Sequence, residues 1–347
     1  MTESMKRQTL LRKLMQIVIP LTISIGLCWL LFTGIDFGEM LAIIRYQCDF
    51  RWILLCLAIA TLSHLLRAFR WGIQLQGLGI RPPLRALVYS IFGTYAVNLV
   101  LPRLGEVWRT GYIAHRQSAS FSSVFGSMLA DRLADTVTVL IFIVITFFAA
   151  GTKLAGYIEA NGETYHAALA VLSSPWLWLT IVLLCAAAYA IYAMLARRSG
   201  NSLATKIKSA VRGLWQGFSV IARMPHKGLW LALSAGIWGC YFIQMYVCFF
   251  AFPFTEEILH THGAVAVLLT FTLSSISMGV PSNGGIGPWQ WAVIFALGIY
   301  GTDMAPAGAF ANLVMGCNTL LLIALGLLTF IGIAADKKTL TKTKYKS

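Results

Sequence analysis

Charge is scarce in this 347-residue sequence, and negative charge scarcest: 13 Asp and Glu stand against 27 Lys and Arg, and charged residues make up 12% of the chain. A soluble domain carries about 25%, so the composition excludes one. Enzyme signatures are absent as well. The sequence has no HExxH, GxSxG, Walker loop or His-x4-Asp pattern, and its six histidines do not cluster. Seven cysteines offer no CxxC pair and no metal-ligand spacing; Cys28, Cys56, Cys185, Cys240, Cys248 and Cys317 lie in apolar segments, leaving Cys48 alone in a loop. These absences argue against a disulfide framework, a metal site, a cofactor and a recognisable catalytic centre, and the expectation is a protein that is not an enzyme.

What the sequence does have is apolar length. Hydrophobic residues reach 58% and mean hydropathy is +0.74. Stretches of about 20 apolar residues recur, enough to cross a hydrocarbon core of about 30 Å as helices. The fold class expected is an all-α polytopic membrane protein. Residues 1–13 form a basic cytoplasmic start, and the helix after them, about 14 to 34, is too long for a cleaved signal peptide.

The net charge of +14 is distributed unevenly, with 23 of the 27 basic residues in four clusters: before residue 14, between 67 and 116, between 197 and 227, and in a lysine tail over 336–347. Cytoplasmic segments concentrate lysine and arginine in this way, which places both termini inside an inner (plasma) membrane. The partner expected for the basic face is the anionic inner leaflet; nucleic acid is not expected.

This orientation fixes a topology over one transmembrane domain, 14–335. Helices at about 14–34 and 52–71 go out and return. The apolar run 86–101 has arginines on both flanks, so it is expected to enter from the cytoplasm, turn at Pro102 and Gly105, and come back along 106–117. A long helix over 121–151 then exits to an outer loop, 152–174. The second half repeats the order upside down: helices at 175–196 and 229–252, a broken run over 263–301 around "PSNGGIGP", and a last helix over 306–334. The prediction is about six full transmembrane helices plus two re-entrant hairpins in two inverted repeats, 14–151 and 175–335. Interrupted hydrophobic segments at matching places of inverted halves point to a transporter's central site.

The first break, "NLVLPRLGEVWR" (98–109), loads a membrane segment with charge. Tyr95, Asn98 and Pro102 share a stripe at i, i+3, i+7, and Gly105 permits unusual backbone angles. A helix resuming after the break offers free N–H groups to an anion, while Arg103 and Arg109 can hold phosphate in bidentate fashion. Glu106 can hold these arginines when no ligand is present. Further on, "SMLADRLADTV" places Asp131, Arg132 and Asp135 where charge is expensive, with Arg132 expected to pair with Asp135. His64, Arg67 and Trp71 near the end of the second helix are read as snorkelling and interfacial anchors, and the tryptophans, Trp230, Trp289 and Trp291 among them, mostly as belt residues. In the second half, Thr270, Ser274 and Ser277 lead into Asn283, Gly284, Gly285 and Gly287, a cluster that lets a ligand or another backbone approach. Gly308, Asn312, Gly316 and Thr319 read as a packing stripe.

The order of motifs, "NLVLPRLGEVWR", then "LADRLAD", then "PSNGGIG" ahead of the last long helix, resembles the transmembrane, flippase-like domain of the lysylphosphatidylglycerol synthase family over roughly residues 10 to 335. The resemblance implies translocation of lipids, including aminoacylated phospholipids or polyprenyl-linked sugars. It carries onto Asn98, Pro102, Gly105, Glu106, Arg109, Arg132, Asp135, Gly284, Gly285 and Gly287. Two departures matter: residues after 335 carry no aminoacyl-transferase domain, so the synthase activity does not transfer, and Gln290 stands where the glycine motif commonly runs on to an acid.

The expected function is therefore a flippase or scramblase of anionic or polyprenyl-phosphate-linked lipid headgroups. Its candidate binding residues are Asn98, Pro102, Arg103, Gly105, Glu106, Arg109, Arg132, Asp135, Asn283, Gly284, Gly285, Gly287 and Gln290. Two alternatives stay open: a membrane partner of a lipid- or glycan-modifying enzyme, and a membrane-embedded lipid transferase.

Overall fold

The computed structural model of the chain describes residues 37–101, 103–160, 202–280 and 282–344, together with Leu179 and Leu183. The helices expected over 14–34 and 175–196 lie outside these residues, as do Pro102 and Pro281. Among the described residues the chain is all-helical, with twelve α-helices and one 3-10 turn.

The first, α1 (Phe37–Gln47), falls where the sequence reading placed a loop. Its carboxyl and guanidinium groups hid an amphipathic pattern, in which Met40 and Ile43, three residues apart, are buried in the main core. α2 (Phe50–Gly77) begins at Asp49, whose carboxylate accepts from the Arg51 amide at 3.0 Å and caps the helix. It runs beyond the 52–71 expected, and at 1.5 Å per residue its 28 residues reach about 42 Å.

α3 (Leu84–Val100) and α4 (Leu104–Arg116) follow, then α5 (Phe121–Ala160). The stretch expected to be a cytoplasmic loop instead forms α6 (Ser202–Phe218) and α7 (Val220–Arg223). Gly213 and Gly217 of α6 lie against Ser122, Ser123 and Gly126 of α5, where any Cβ would collide; small residues let the two backbones meet. α8 (Lys227–Cys248) ends in the 3-10 turn Phe249–Ala251. A second unexpected helix, α9 (Pro253–His262), is bent 114° from α10 (Ala264–Ser277) at Gly263, whose φ of 64° suits glycine. α11 (Pro288–Gly298) and α12 (Met304–Lys344) complete the chain.

Four of these helices are long and apolar enough to cross a membrane: α2, α5, α8 with its 3-10 turn, and α12 over Met304–Asp336. The bent pair α9 and α10 makes a fifth if it counts as one span. The larger core joins α1, α2 and α8 to α12 around Phe249, Phe252, Phe310 and Leu297. A smaller one, built on Trp71, Leu75, Ile91 and Ile113, holds α3 and α4 against α2. Large apolar side chains on α5 and α12, such as Leu140, Val144, Phe147, Phe148, Leu327 and Leu328, stay exposed. A helical surface of that kind suits lipid, and the chain is a multi-pass membrane protein, all-helical over the described residues.

Candidate functional site

α3 and α4 fold back on each other through a three-residue turn, and local sequence accounts for it. A proline drives the residue before it out of the helical region; Leu101, ahead of Pro102, is extended (φ −128°, ψ 100°). Arg103 then takes a left-handed conformation (φ 63°) and α4 starts. The arms touch at two glycines. A Cβ on Gly105 would run into the Thr94 carbonyl and the Asn98 side chain, and one on Gly93 would run into the Trp108 ring. The Asn98 side chain does two jobs: its Oδ1 accepts from the Gly105 amide at 2.7 Å, and its Nδ2 donates to Glu106 Oε2 at 3.3 Å. The Gly105 amide, expected to await an anion, is thus already taken.

Below this turn sits a buried charge cluster. Arg67 and Arg70 from α2, Arg109 from α4, and Asp131 and Asp135 from α5 converge, and none of the five is more than 8% exposed. Asp135 accepts from Arg67 Nη1 at 2.6 Å and from Arg70 Nη2 at 2.8 Å. Asp131 lies 2.7 Å from Arg70 Nη2, 3.6 Å from Arg109 Nη2 and 3.7 Å from Arg67 Nη1. Arg109 is the least well served. Its Nε and Nη2 have no hydrogen-bond partner among the described residues, and its guanidinium lies 4.4 Å from the centre of the Trp71 ring. Trp71 in turn donates to Ser127 Oγ at 3.2 Å. Beside the cluster, Arg132 Nη2 pairs with Glu106 Oε1 at 2.8 Å. Four arginines therefore meet three carboxylates.

The second turn holds no charge. Gly284, Gly285 and Gly287 all take positive φ, at 64°, 88° and 94°. A Cβ on Gly284 would meet Leu99 at the end of α3, and one on Gly285 would meet Met278, so the close approach these glycines allow is to protein. Gln290 turns its Oε1 back onto the Gly287 amide at 2.7 Å and directs its Nε2 at Asn312 Oδ1, 3.4 Å away. Asn283 sits half-buried in the same turn. The turns are joined directly: Arg103 Nη2 donates to the Gly279 carbonyl at 2.8 Å.

The structure thus gathers Asn98, Gly105, Glu106 and Arg132 into one group and Arg109 with Asp135 into the adjoining one. Arg103 links to the second turn, and Pro102 lies outside the described residues. Three expectations are corrected. Arg132 pairs with Glu106, because α4 places the glutamate beside it while Asp135 faces α2. Arg67 and Trp71 do not reach for an interface; they are buried at the centre, with His64 packed on Tyr95, ring centroids 4.5 Å apart. Trp230 is buried as well, 5.7 Å from the Arg70 guanidinium, so it is not a belt residue. Thr270, Ser274 and Ser277 bond back to their own helix, as packing residues do. Sequence reasoning missed Arg70 and left Arg67 and Asp131 off the candidate site. The signal was there: arginines at i, i+3 on one apolar helix and aspartates at i, i+4 on another, with opposite sign. Among the described residues no group of three His, Cys, Asp or Glu side chains could hold a metal.

Fold and site together define a polytopic helical membrane protein with a buried arginine–aspartate cluster beside a broken helix. The family model for the lysylphosphatidylglycerol synthase TM region matches residues 17–326, and the chain belongs to that family. It is also 29% identical over 146 residues to a UPF0104 membrane protein of Pyrococcus horikoshii; that match spans 41% of this chain and 42% of the relative. No solved structure matches.

Proposed function

We propose that the protein is a lipid transporter, of flippase or scramblase type, that moves anionic or polyprenyl-phosphate-linked headgroups across the inner membrane. On this reading α3–α4 and α10–α11 are re-entrant hairpins entering from opposite sides, in inverted repeats, with both termini cytoplasmic. The observation that carries it is the surplus of buried positive charge, with Arg109 1% exposed and two of its nitrogens short of hydrogen bonds. Ionisable groups at membrane depth mark substrate paths, and an arginine left without full pairing calls for an anion. Contact between the two turns, through Arg103 with Gly279 and Leu99 with Gly284, supports a common site where the halves meet.

The test is reconstitution of the purified protein into vesicles with fluorescent phosphatidylglycerol or polyprenyl phosphate in one leaflet. Transbilayer movement is expected, with a loss of about a hundredfold in Arg109→Ala, the size of one lost charge-assisted contact of about 3 kcal/mol. No movement of any anionic lipid, or full movement in Arg109→Ala, refutes the reading.

A further inference from the structure

The proposed function treats the arginines together; their geometry separates them. Arg132 is the more exposed of the two, its side chain at 37% against 1% for Arg109, although its Nε is itself buried and opens to a ligand only when a neighbour moves. Its guanidinium has one edge, Nε with Nη2, that can grip two oxygens at once, and that edge is half filled. Nη2 donates to Glu106 Oε1, while Nε has no hydrogen-bond partner among the described residues. Glu106 does not close on both nitrogens, because its other oxygen is held by Asn98 Nδ2. A phosphate has oxygens enough for the whole edge, and this two-point grip is what distinguishes arginine from lysine as a phosphate ligand. Glu106 also has somewhere to go. Arg109 lies three residues further along the same helix, within side-chain reach, and offers Nε and Nη2 without hydrogen bonds.

Resting on the phosphate reading of this site, we propose that a phosphate oxyanion docks on the Nε–Nη2 edge of Arg132 by displacing Glu106, which occupies the phosphate's place in the ligand-free protein and shifts toward Arg109 on exchange. The exchange keeps charge balanced without any covalent step. One anion replaces another on Arg132, and the released carboxylate meets the surplus positive charge of the cluster. Glu106 is then a competitor of the ligand rather than a contact to it, and removing its charge should strengthen binding.

The experiment is equilibrium binding to the purified protein in nanodiscs of zwitterionic lipid, titrated calorimetrically with dihexanoyl phosphatidylglycerol, glycerol 3-phosphate and inorganic phosphate. Glu106→Gln should tighten binding about tenfold, the size of one lost charge-assisted competitor. Arg132→Lys, which keeps the charge and loses the fork, should weaken it about tenfold, and the double variant should show no gain from Glu106→Gln. A gain confined to the short-chain lipid assigns the subsite to a headgroup; an equal gain for all three ligands assigns it to phosphate itself. Binding unchanged or weakened in Glu106→Gln overturns the exchange. So does undiminished binding in Arg132→Lys, a variant that answers alone if Glu106→Gln does not fold. Binding as expected without lipid movement removes the transporter reading and leaves the subsite; lipid movement with an unaltered Glu106→Gln affinity does the reverse.

Discussion

Arg109 and Arg70 are both fully buried arginines facing Asp131, yet replacing each by methionine should have very unequal consequences. Arg70 is necessary to the charge balance: its Nη2 lies 2.7 Å from Asp131 and 2.8 Å from Asp135, and its Nη1 bonds Ser234 Oγ at 3.3 Å. Arg70→Met leaves two buried carboxylates sharing Arg67 and a distant Arg109, and breaking a buried pair in this way costs about 3–5 kcal/mol. Arg109 is the surplus charge. Arg109→Met forfeits an ion pair at 3.6 Å and the contact with Trp71, about 2 kcal/mol for a desolvated cation on an aromatic face. Against that it relieves a buried charge that the cluster does not fully pair, a penalty of several kcal/mol per ion. Methionine keeps the length and suits a helix, so the net change should lie within about 1 kcal/mol of zero. The assay is equilibrium unfolding in mixed micelles, with lipid binding measured on the same samples: Arg109→Met should stay folded and lose binding. A double-mutant cycle adds an internal check, since Asp131→Asn should be milder by about 1–3 kcal/mol once Arg109 is gone. If Arg109→Met unfolds as readily as Arg70→Met, Arg109 is a required counter-ion of Asp131, and no surplus charge remains to receive Glu106 when a phosphate displaces it from Arg132.

Three further outcomes are expected. Gly105→Ala should lower stability by about 1–3 kcal/mol, because its Cβ has nowhere to go between the Thr94 carbonyl and Asn98; a melting temperature equal to the wild type refutes the tight crossing of α3 and α4. At Arg103, alanine keeps the left-handed backbone and loses the bond to Gly279, whereas glycine loses the bond and relieves the strain, so Arg103→Gly should be about 1 kcal/mol more stable than Arg103→Ala; equal melting points refute that. Burial, with Cys317 and Asp49 adding to it, pushes the Cys48 thiol from the ordinary 9.0 up to about 11. Since only the thiolate reacts, its alkylation rate should still be climbing steeply between about pH 10 and pH 11, and a curve that levels off near pH 10, as an unshifted thiol gives, refutes the burial.

The first turn could be read in sequence because its causes are local. Pro102 acts on Leu101 next to it, Gly105 admits Thr94 eleven positions back, and Asn98 reaches Glu106 within the same stretch. The pairing of Arg67 and Arg70 with Asp131 and Asp135 could not be read in the same way. Arg67 lies near one end of an apolar helix, where a snorkelling arginine and a buried one have the same neighbours in sequence. Only the packing of α5 against α2, with partners 65 and 68 residues away, decides between them. The opposite-sign match of the two spacings was the available clue. α1 and α6 were hidden for another reason: charged residues on one face lower the apolar content of the whole segment, while Met40 with Ile43 and Gly213 with Gly217 keep helical spacing on the other.

The two turns divide the work unequally, and hydrogen bonding explains the division. Among the described residues, every buried arginine nitrogen without a hydrogen bond belongs to Arg67, Arg70, Arg109 or Arg132, all on α2, α4 and α5. The second turn is held from within by Gln290. Gln290 accepts from the Gly287 amide and donates toward Asn312, whose own amide bonds the Gly308 carbonyl at 2.9 Å. Both halves of the Gln290 amide are used, one as acceptor and one as donor, a combination that an ionised acid at this position could not reproduce. Its presence there follows from the structure of the turn and requires no titrating group. On the proposed reading, recognition of the anion therefore belongs to the first half. The second half supplies a neutral wall, held against the first by Arg103 at Gly279 and by Leu99 at Gly284. Any rocking of the halves that passes a headgroup must break those two contacts, and with them the bonds of Arg70 to Ser234 and Arg67 to Tyr241 on α8, while the arginine–aspartate pairs themselves lie wholly on α2, α4 and α5.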